Sequence, residues 1–201
     1  RGGWSESALE LVGVDLAQLP PVLSTTATLA LTSRAAEQVG LDQGTPVVVG
    51  AADGPLGNVG TGALAPGVAG LSLGTSGAVR TVVERPMIDE ARGLFCYAIT
   101  DDRWVTGGAI SNGGSVARWA ADTLGVADGA ALLELAAQAP PGSDGLVMRP
   151  FLLPERAPLW DPDQRGALLG LRAEHTRAHV ARAAIEGVCL QVRALVDRVD
   201  A

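Results

Sequence analysis

Asp53 is the single acidic side chain between Gly50 and Val79, a stretch that also holds nine glycines. It closes the run "TPVVVGAAD", precedes Gly54 and Pro55, and is followed a little later by Gly74-Thr75-Ser76-Gly77. Two chemistries suit it. As a helix N-cap it would satisfy free N–H groups ahead of a Gly-Pro helix start. As a general base it would be held ionised by the same N–H groups and the helix dipole, ready to take a proton from a substrate hydroxyl. The two roles are compatible. Gly74-Thr75-Ser76-Gly77 is equally double: a hairpin turn using glycine for positive φ, or a phosphate cradle whose small side chains leave N–H and hydroxyl groups open to an anion. "TGGAISNGG" at 106–114 leaves one strand and enters a helix, giving a second glycine-rich turn with Gly107, Gly108 and Ser111 near a helix N-terminus.

Other reactive residue types offer less. His175 and His179 lie four apart and could face one metal, but no third ligand accompanies them and no HExxH occurs. Solvated helix positions or caps are the expectation, and no metal ligand is assigned. Ser111 and Ser115 have no His and Asp arrangement that would mark a nucleophile. Asp101-Asp102 reads as a hairpin turn and Glu155-Arg156 as a local ion pair.

The elements that must position these residues follow from pattern. Residues 5–18 form a short helix and loop, broken by "LPP". The β-branched run in "TPVVVGAAD" predicts a buried strand ending at Asp53. A glycine-rich helix follows from Gly54 to about Leu64. Each glycine there costs about 1 kcal/mol against Ala, so close backbone approach is the expected reason for keeping them. "ALAPGVAG" at 63–70 is the candidate domain junction. Four strand-like stretches come next, "GLSLGTSG", "AVRTVVE", "LFCYAIT" and "RWVTGG", joined by turns at 75–77, 86–93 and 100–102. Helices are predicted over 113–124, with Val116, Trp119, Ala120 and Leu124 on one face, and over 128–138. The last runs from about Thr176 with Val180, Ala184, Val188, Val192 and Leu195 in register. Strands followed by helices alternating with short strands indicate an α/β protein, a sheet covered by helices.

Composition narrows the function. The 201 residues are 47% hydrophobic, enough for a sizeable core, and with only 3% aromatics the packing falls to Ala, Val and Leu. A net charge of −7 argues against nucleic acid as a partner. All 15 basic residues are Arg, which excludes a Schiff-base lysine and a P-loop from this chain. Cys96 and Cys189 read as small core residues of a reduced, cytoplasmic protein rather than a disulfide. No run reaches membrane-spanning length and no signal peptide is visible. A chain that starts at Arg1 and stops at Ala201 inside a helical pattern is expected to be a piece of a larger protein.

The segment "GALLGLRAEHTRAHVARAAIE" at 166–186 resembles the C-terminal signature of the FGGY carbohydrate kinases, through Gly166, Leu168, Gly170-Leu171, His179, Val180, Ala183-Ala184, Ile185 and Glu186. "ERAPLWDPDQRG" before it and "EGV" at its end look like the same family. The resemblance implies an actin-like (ribonuclease H-like) two-domain kinase fold. Residues 1–68 would be the end of the N-terminal, sugar-binding domain. Residues 69–201 would be the C-terminal, nucleotide-binding domain, stopping before the adenosine motif. It implies Asp53 as the catalytic base, with Asp53 and Gly54 at the substrate, and ATP phosphates contacted by Gly74, Thr75, Ser76, Gly107, Gly108 and Ser111. Gly54 and Ser111 depart from the residues some members carry at those places. Cofactors implied are ATP and Mg²⁺, the partners are small molecules rather than a membrane, and a homodimer is one assembly it admits. "DGPLGNVG" with "GGAISNGG" is most similar to the gluconate kinases, so phosphorylation of D-gluconate to 6-phosphogluconate is expected. A kinase for xylulose or another polyol, or a non-catalytic actin-like module, are the alternatives. The isolated piece is expected to be inactive.

Overall fold

The computed structural model describes residues 3–200. Its centre is a four-stranded antiparallel sheet in the order β3-β4-β6-β5, formed by β3 (Ala69–Leu73), β4 (Gly77–Val83), β5 (Phe95–Ala98) and β6 (Trp104–Ile110). All four strands fall within a residue or two of the strand-like stretches that predicted them. The hairpin closes with Leu73 opposite Gly77, so Gly74-Thr75-Ser76 is the turn itself.

Alternation along β4 sends side chains to two differently covered faces. On one face Val79 and Ile110 meet Ala157 and Leu195, the latter from the long helix α6 (Arg177–Val199). On the other, Val82, Val105 and Ile99 make a smaller cluster with Phe95, and α3 (Asp53–Gly60) crosses the strands beside it. The largest apolar cluster lies beyond the sheet. There α4 (Gly114–Leu124) and α5 (Gly129–Ala136) pack on α6 through Val116, Ala120, Ala121, Leu132, Ala181, Ala184 and Val188. Trp119 is exposed, and Ala121 takes the buried place expected for it. Gly125 ends α4 in the left-handed conformation (φ 63°) that makes glycine the favoured residue there.

The family-like segment folds into a brace for this helical layer. Its β8 (Ala167–Leu169) pairs antiparallel with β7 (Val147–Arg149). Gly170 turns with φ +79°, and a Cβ there would stand 2.6 Å from the Gly145 carbonyl oxygen. His179 completes a capping box with Thr176. Its Nε2 lies 3.1 Å from Asp144 Oδ2. Glu186 accepts the Gly142 N–H at 3.1 Å and pairs with Arg182 at 2.7 Å. His175 stands in the turn before α6, its Nδ1 accepting from Arg172 N at 2.9 Å. Both histidines thus act at the helix start.

The first 60 residues are more open. They hold α1 (Glu6–Val12), β1 (Thr28–Ala30), α2 (Ser33–Val39) and β2 (Pro46–Val48) in chain order, with β1 pairing antiparallel with β2. β2 was expected to be buried; it is exposed along its length, because the two-stranded sheet has no layer over it among the described residues. Ser24 and Thr25 tie this part to the β5–β6 turn by hydrogen bonds to Asp101 (2.9 Å) and the Ile99 carbonyl (2.6 Å). Cys96 is half-buried in β5, while Cys189 is exposed on α6, contrary to the core role expected of it. Cys189 borders a groove between α4, α5 and α6 that the neighbouring side chains leave unfilled.

Candidate active site

Asp53 occupies the first position of α3, and the N-cap is Ala52, so the capping role expected for Asp53 falls to a residue with no side-chain donor or acceptor. The carboxylate is exposed, and its Oδ1 accepts the N–H of Gly54 at 2.7 Å. α3 ends at Gly60, earlier than predicted. Its glycines have different reasons. Gly54 lies against Arg80 of β4, where a Cβ would stand 2.8 Å from Nη2, and Gly62, just past the helix, has φ +73°. Gly57 and Gly60 face open space, and nothing in the structure explains them.

The turn Gly74-Thr75-Ser76 is exposed at its tip and built from behind. Gly74 N donates to Ser76 O at 2.8 Å, which closes it. Gly114 N and Ser115 N, the first amides of α4, donate to the carbonyls of Gly74 (2.6 Å) and Thr75 (3.1 Å). The helix N-terminus therefore spends donors on holding the turn rather than standing free as a second anion site. Among the described residues, the N–H groups and hydroxyls of Thr75 and Ser76 have no protein partner. A turn fixed through its carbonyls and open at its donors is suited to oxyanions.

Gly107 and Gly108 were expected in a nucleotide-facing turn. They lie inside β6, both buried. A Cβ on Gly107 would stand 2.1 Å from Val79 O, and one on Gly108 would stand 2.5 Å from Leu195 Cδ2. Packing within the sheet and under α6 dictates these two glycines. The residues that do touch the turn are Gly113 and Gly114, where a Cβ would meet Ser76 C at 2.8 Å and Gly74 O at 2.6 Å respectively. The "NGG" of the quoted motif carried that signal, but the sequence did not say which glycine pair faced the turn.

Ser111 is likewise committed to the protein. Its Oγ accepts from Arg156 Nε at 3.2 Å, and its N–H donates to Glu155 Oε1 at 3.3 Å. Beside it Asn112, fully buried, donates to Glu155 Oε2 (2.7 Å) and Leu153 O (2.9 Å) and accepts from Leu153 N (2.8 Å). The expected Glu155–Arg156 ion pair does not form. Glu155, 3% exposed, instead serves the 111–112 turn, and the Arg156 guanidinium turns to Ser111 and to the Ile110 carbonyl at 2.9 Å. This network fixes the strand-to-helix connection on which the Gly74–Ser76 turn rests. An apolar groove opens alongside, lined by Leu73, Gly113, Gly114, Ala117, Leu132 and Ile185. Another apolar groove, between β7, residues 150–159 and α6, has none of the candidate catalytic or phosphate-contacting residues in its lining.

An exposed carboxylate at a helix start and a hairpin with open donors are residue types that phosphoryl transfer uses, as base and as phosphate cradle. Residues 69–201 match the C-terminal domain of the FGGY family of carbohydrate kinases, and residues 1–60 match its N-terminal domain. The chain belongs to the FGGY family. It is 43% identical over 197 residues to a gluconokinase of Bacillus subtilis strain 168, covering 92% of this chain and 38% of that protein. Among solved structures, gluconate kinase from Lactobacillus acidophilus superposes with a TM-score of 0.91 at 34% identity, over 98% of this chain and 41% of that one. Ligand-bound xylulose kinase from the same organism gives the same TM-score of 0.91 and identity of 34%, over 98% of this chain and 40% of its own. The fold is thus the α/β, actin-like kinase fold expected, and this FGGY chain spans about two fifths of the length of the relatives it matches. Among the described residues no helix is long and apolar enough to cross a membrane.

Proposed function

We propose that the complete protein transfers the γ-phosphoryl group of ATP to a hydroxyl of a sugar acid, D-gluconate, giving 6-phosphogluconate. The observation that carries this reading is the 43% identity to a gluconokinase across nearly the whole chain. Asp53, exposed at the start of α3, takes the proton of the attacking hydroxyl. The open N–H groups of Thr75 and Ser76, with the Thr75 hydroxyl, bind phosphate oxygens. Catalysis is then mainly positioning and charge stabilisation, with closure of two domains excluding water. Mg²⁺, when bound, neutralises charge on the phosphates. Such an ion is usually held by one or two carboxylates and the phosphates themselves; Asp53 is kept for the proton, and no metal ligand is assigned among the described residues. Gly107, Gly108 and Ser111 have structural duties and are not part of the proposed contact set.

Xylulose is the second acceptor to consider, because a xylulose kinase superposes as well as a gluconate kinase does. The test is ADP release by the complete protein with gluconate, xylulose, ribulose and glycerol in turn, for the wild type and Asp53→Asn. Gluconate should be the best acceptor, and the variant should lose about 10²–10⁴-fold in kcat, the usual worth of a general base, while retaining ATP binding. A preference for xylulose would reassign the substrate. Near-normal turnover by Asp53→Asn would remove the base.

A further inference from the structure

Arg80 is a half-buried cation on β4. Among the described residues no carboxylate lies within ion-pair distance of it and its guanidinium makes no hydrogen bond, and its Nε is buried without a partner. Leaving a charged donor partly desolvated and unsatisfied is costly, which makes its placement informative. Gly70, Arg80, Gly107 and Phe95 stand in one cross-strand row on β3, β4, β6 and β5. The glycines on either side leave the arginine room to lie across the sheet, with Cζ 5.9 Å from the centre of the Phe95 ring.

Two residues of α3, one turn apart, cover that row. Asn58 sits over Gly70, where a Cβ would stand 2.8 Å from its Oδ1, and donates to the Arg80 carbonyl at 3.1 Å. Gly54 sits over the guanidinium. The space a side chain at position 54 would occupy is therefore filled from β4 by Arg80, and a positive charge is delivered next to the residue that adjoins Asp53. The same strand begins at Gly77, the end of the oxyanion-ready turn.

The geometry points to Arg80 as a further catalytic residue of phosphoryl transfer, its guanidinium taking the charge of the phosphoryl oxygens between nucleotide and acceptor. This rests on the kinase reading above. In the step, Asp53 accepts the hydroxyl proton and the hydroxyl oxygen forms the new bond to the γ-phosphorus. The bond from that phosphorus to the bridging oxygen breaks and ADP leaves; Arg80 keeps its protons throughout. A sugar-acid carboxylate is the other oxyanion that could meet a guanidinium fork. Position decides between them. Asp53 must meet the hydroxyl that becomes the phosphoester, so the anion beside Asp53 is the group in transfer. The carboxylate of gluconate lies at the opposite end of the carbon chain from C6.

The experiment compares wild type, Arg80→Ala and Arg80→Lys of the complete protein in steady state with gluconate and with xylulose, with and without millimolar guanidinium. Arg80→Ala should lose on the order of 10²–10³ in kcat with every acceptor the wild type uses, with KM little changed. Added guanidinium should restore part of it. Arg80→Lys, which folds around a retained charge but lacks the planar fork, should fall between the two. An active wild type with undiminished Arg80→Ala overturns this assignment alone. So does a loss confined to KM for gluconate, which would move the cation to the carboxylate. A kcat loss that guanidinium leaves untouched and that tracks a lowered Tm makes the role structural and also overturns it. A wild type inert with every acceptor overturns the kinase reading and this assignment together.

Discussion

Replacing Asn112 by Asp exchanges one NH₂ group for an oxygen at a fully buried site and changes almost no volume. In the native protein that NH₂ group donates to Glu155 Oε2 at 2.7 Å and to the Leu153 carbonyl at 2.9 Å. Both contacts become acceptor against acceptor. Two unit charges at such a distance repel by about 6 kcal/mol at an effective dielectric of 20. Protonating one carboxyl limits the penalty, because neutralising a carboxyl of ordinary pKa about 4 costs about 4 kcal/mol at pH 7. The shared proton restores one hydrogen bond, and the lost Leu153 contact adds about 1 kcal/mol. Asn112→Asp should therefore destabilise by about 4–5 kcal/mol at pH 7. The sign with pH is definite. The variant pair has a folded-state pKa raised above the unfolded value, so its penalty shrinks as pH falls and should approach about 1 kcal/mol near pH 4. Urea unfolding of both proteins at pH 7 and about pH 4.5 reads this directly. A loss below about 1 kcal/mol at pH 7, or one independent of pH, would refute the account of Asn112 and Glu155 as the pair that holds the 111–114 connection.

Two further outcomes test the brace around α6. Asp89 accepts from Arg198 at 2.6 Å and from the N–H groups of Gly93, Leu94 and Ala91, and these donors hold its carboxyl below the usual carboxylate value. Its contribution is therefore complete above the unfolded pKa of about 4 and lost as pH falls through the lower folded value, so thermal unfolding of Asp89→Asn should differ from wild type near neutral pH and converge with it in strong acid. A difference that persists unchanged at pH 2 would contradict this. Gly187→Ala would place a Cβ 2.5 Å from the Met148 carbonyl oxygen and force α6 away from β7, at a cost of about 1–3 kcal/mol; an unchanged Tm would show that the helix can shift freely.

The four-stranded sheet and the helices α4, α5 and α6 were legible in the sequence because their signals are local. Strand-like stretches between turn residues marked β3, β4, β5 and β6, and helical patterns marked α4, α5 and α6, the last from about Thr176. The errors share one cause. Gly107 and Gly108 were placed in a turn because glycine pairs usually make turns, yet what excludes a side chain there is the Val79 carbonyl from the next strand and Leu195 from a helix far along the chain. The Ser111 hydroxyl, expected at the phosphates, accepts from Arg156, a partner 45 residues away that no local pattern reveals. Cys189 and the 46–49 run were expected inside because composition reports hydrophobicity but not what lies over it.

Resemblance to the FGGY carbohydrate kinases implied the kinase fold, and the sequence by itself determined an α/β architecture with Asp53 at a helix start and a glycine turn opening β4. Residue type and spacing along one strand or helix are enough for that. Only the tertiary structure decided which glycines face the turn, that α4 gives its first amides to that turn, and that Arg80 fills the space left by Gly54. Each of these depends on a contact between residues distant in the chain, and close packing enforces such contacts through distances that no local pattern records.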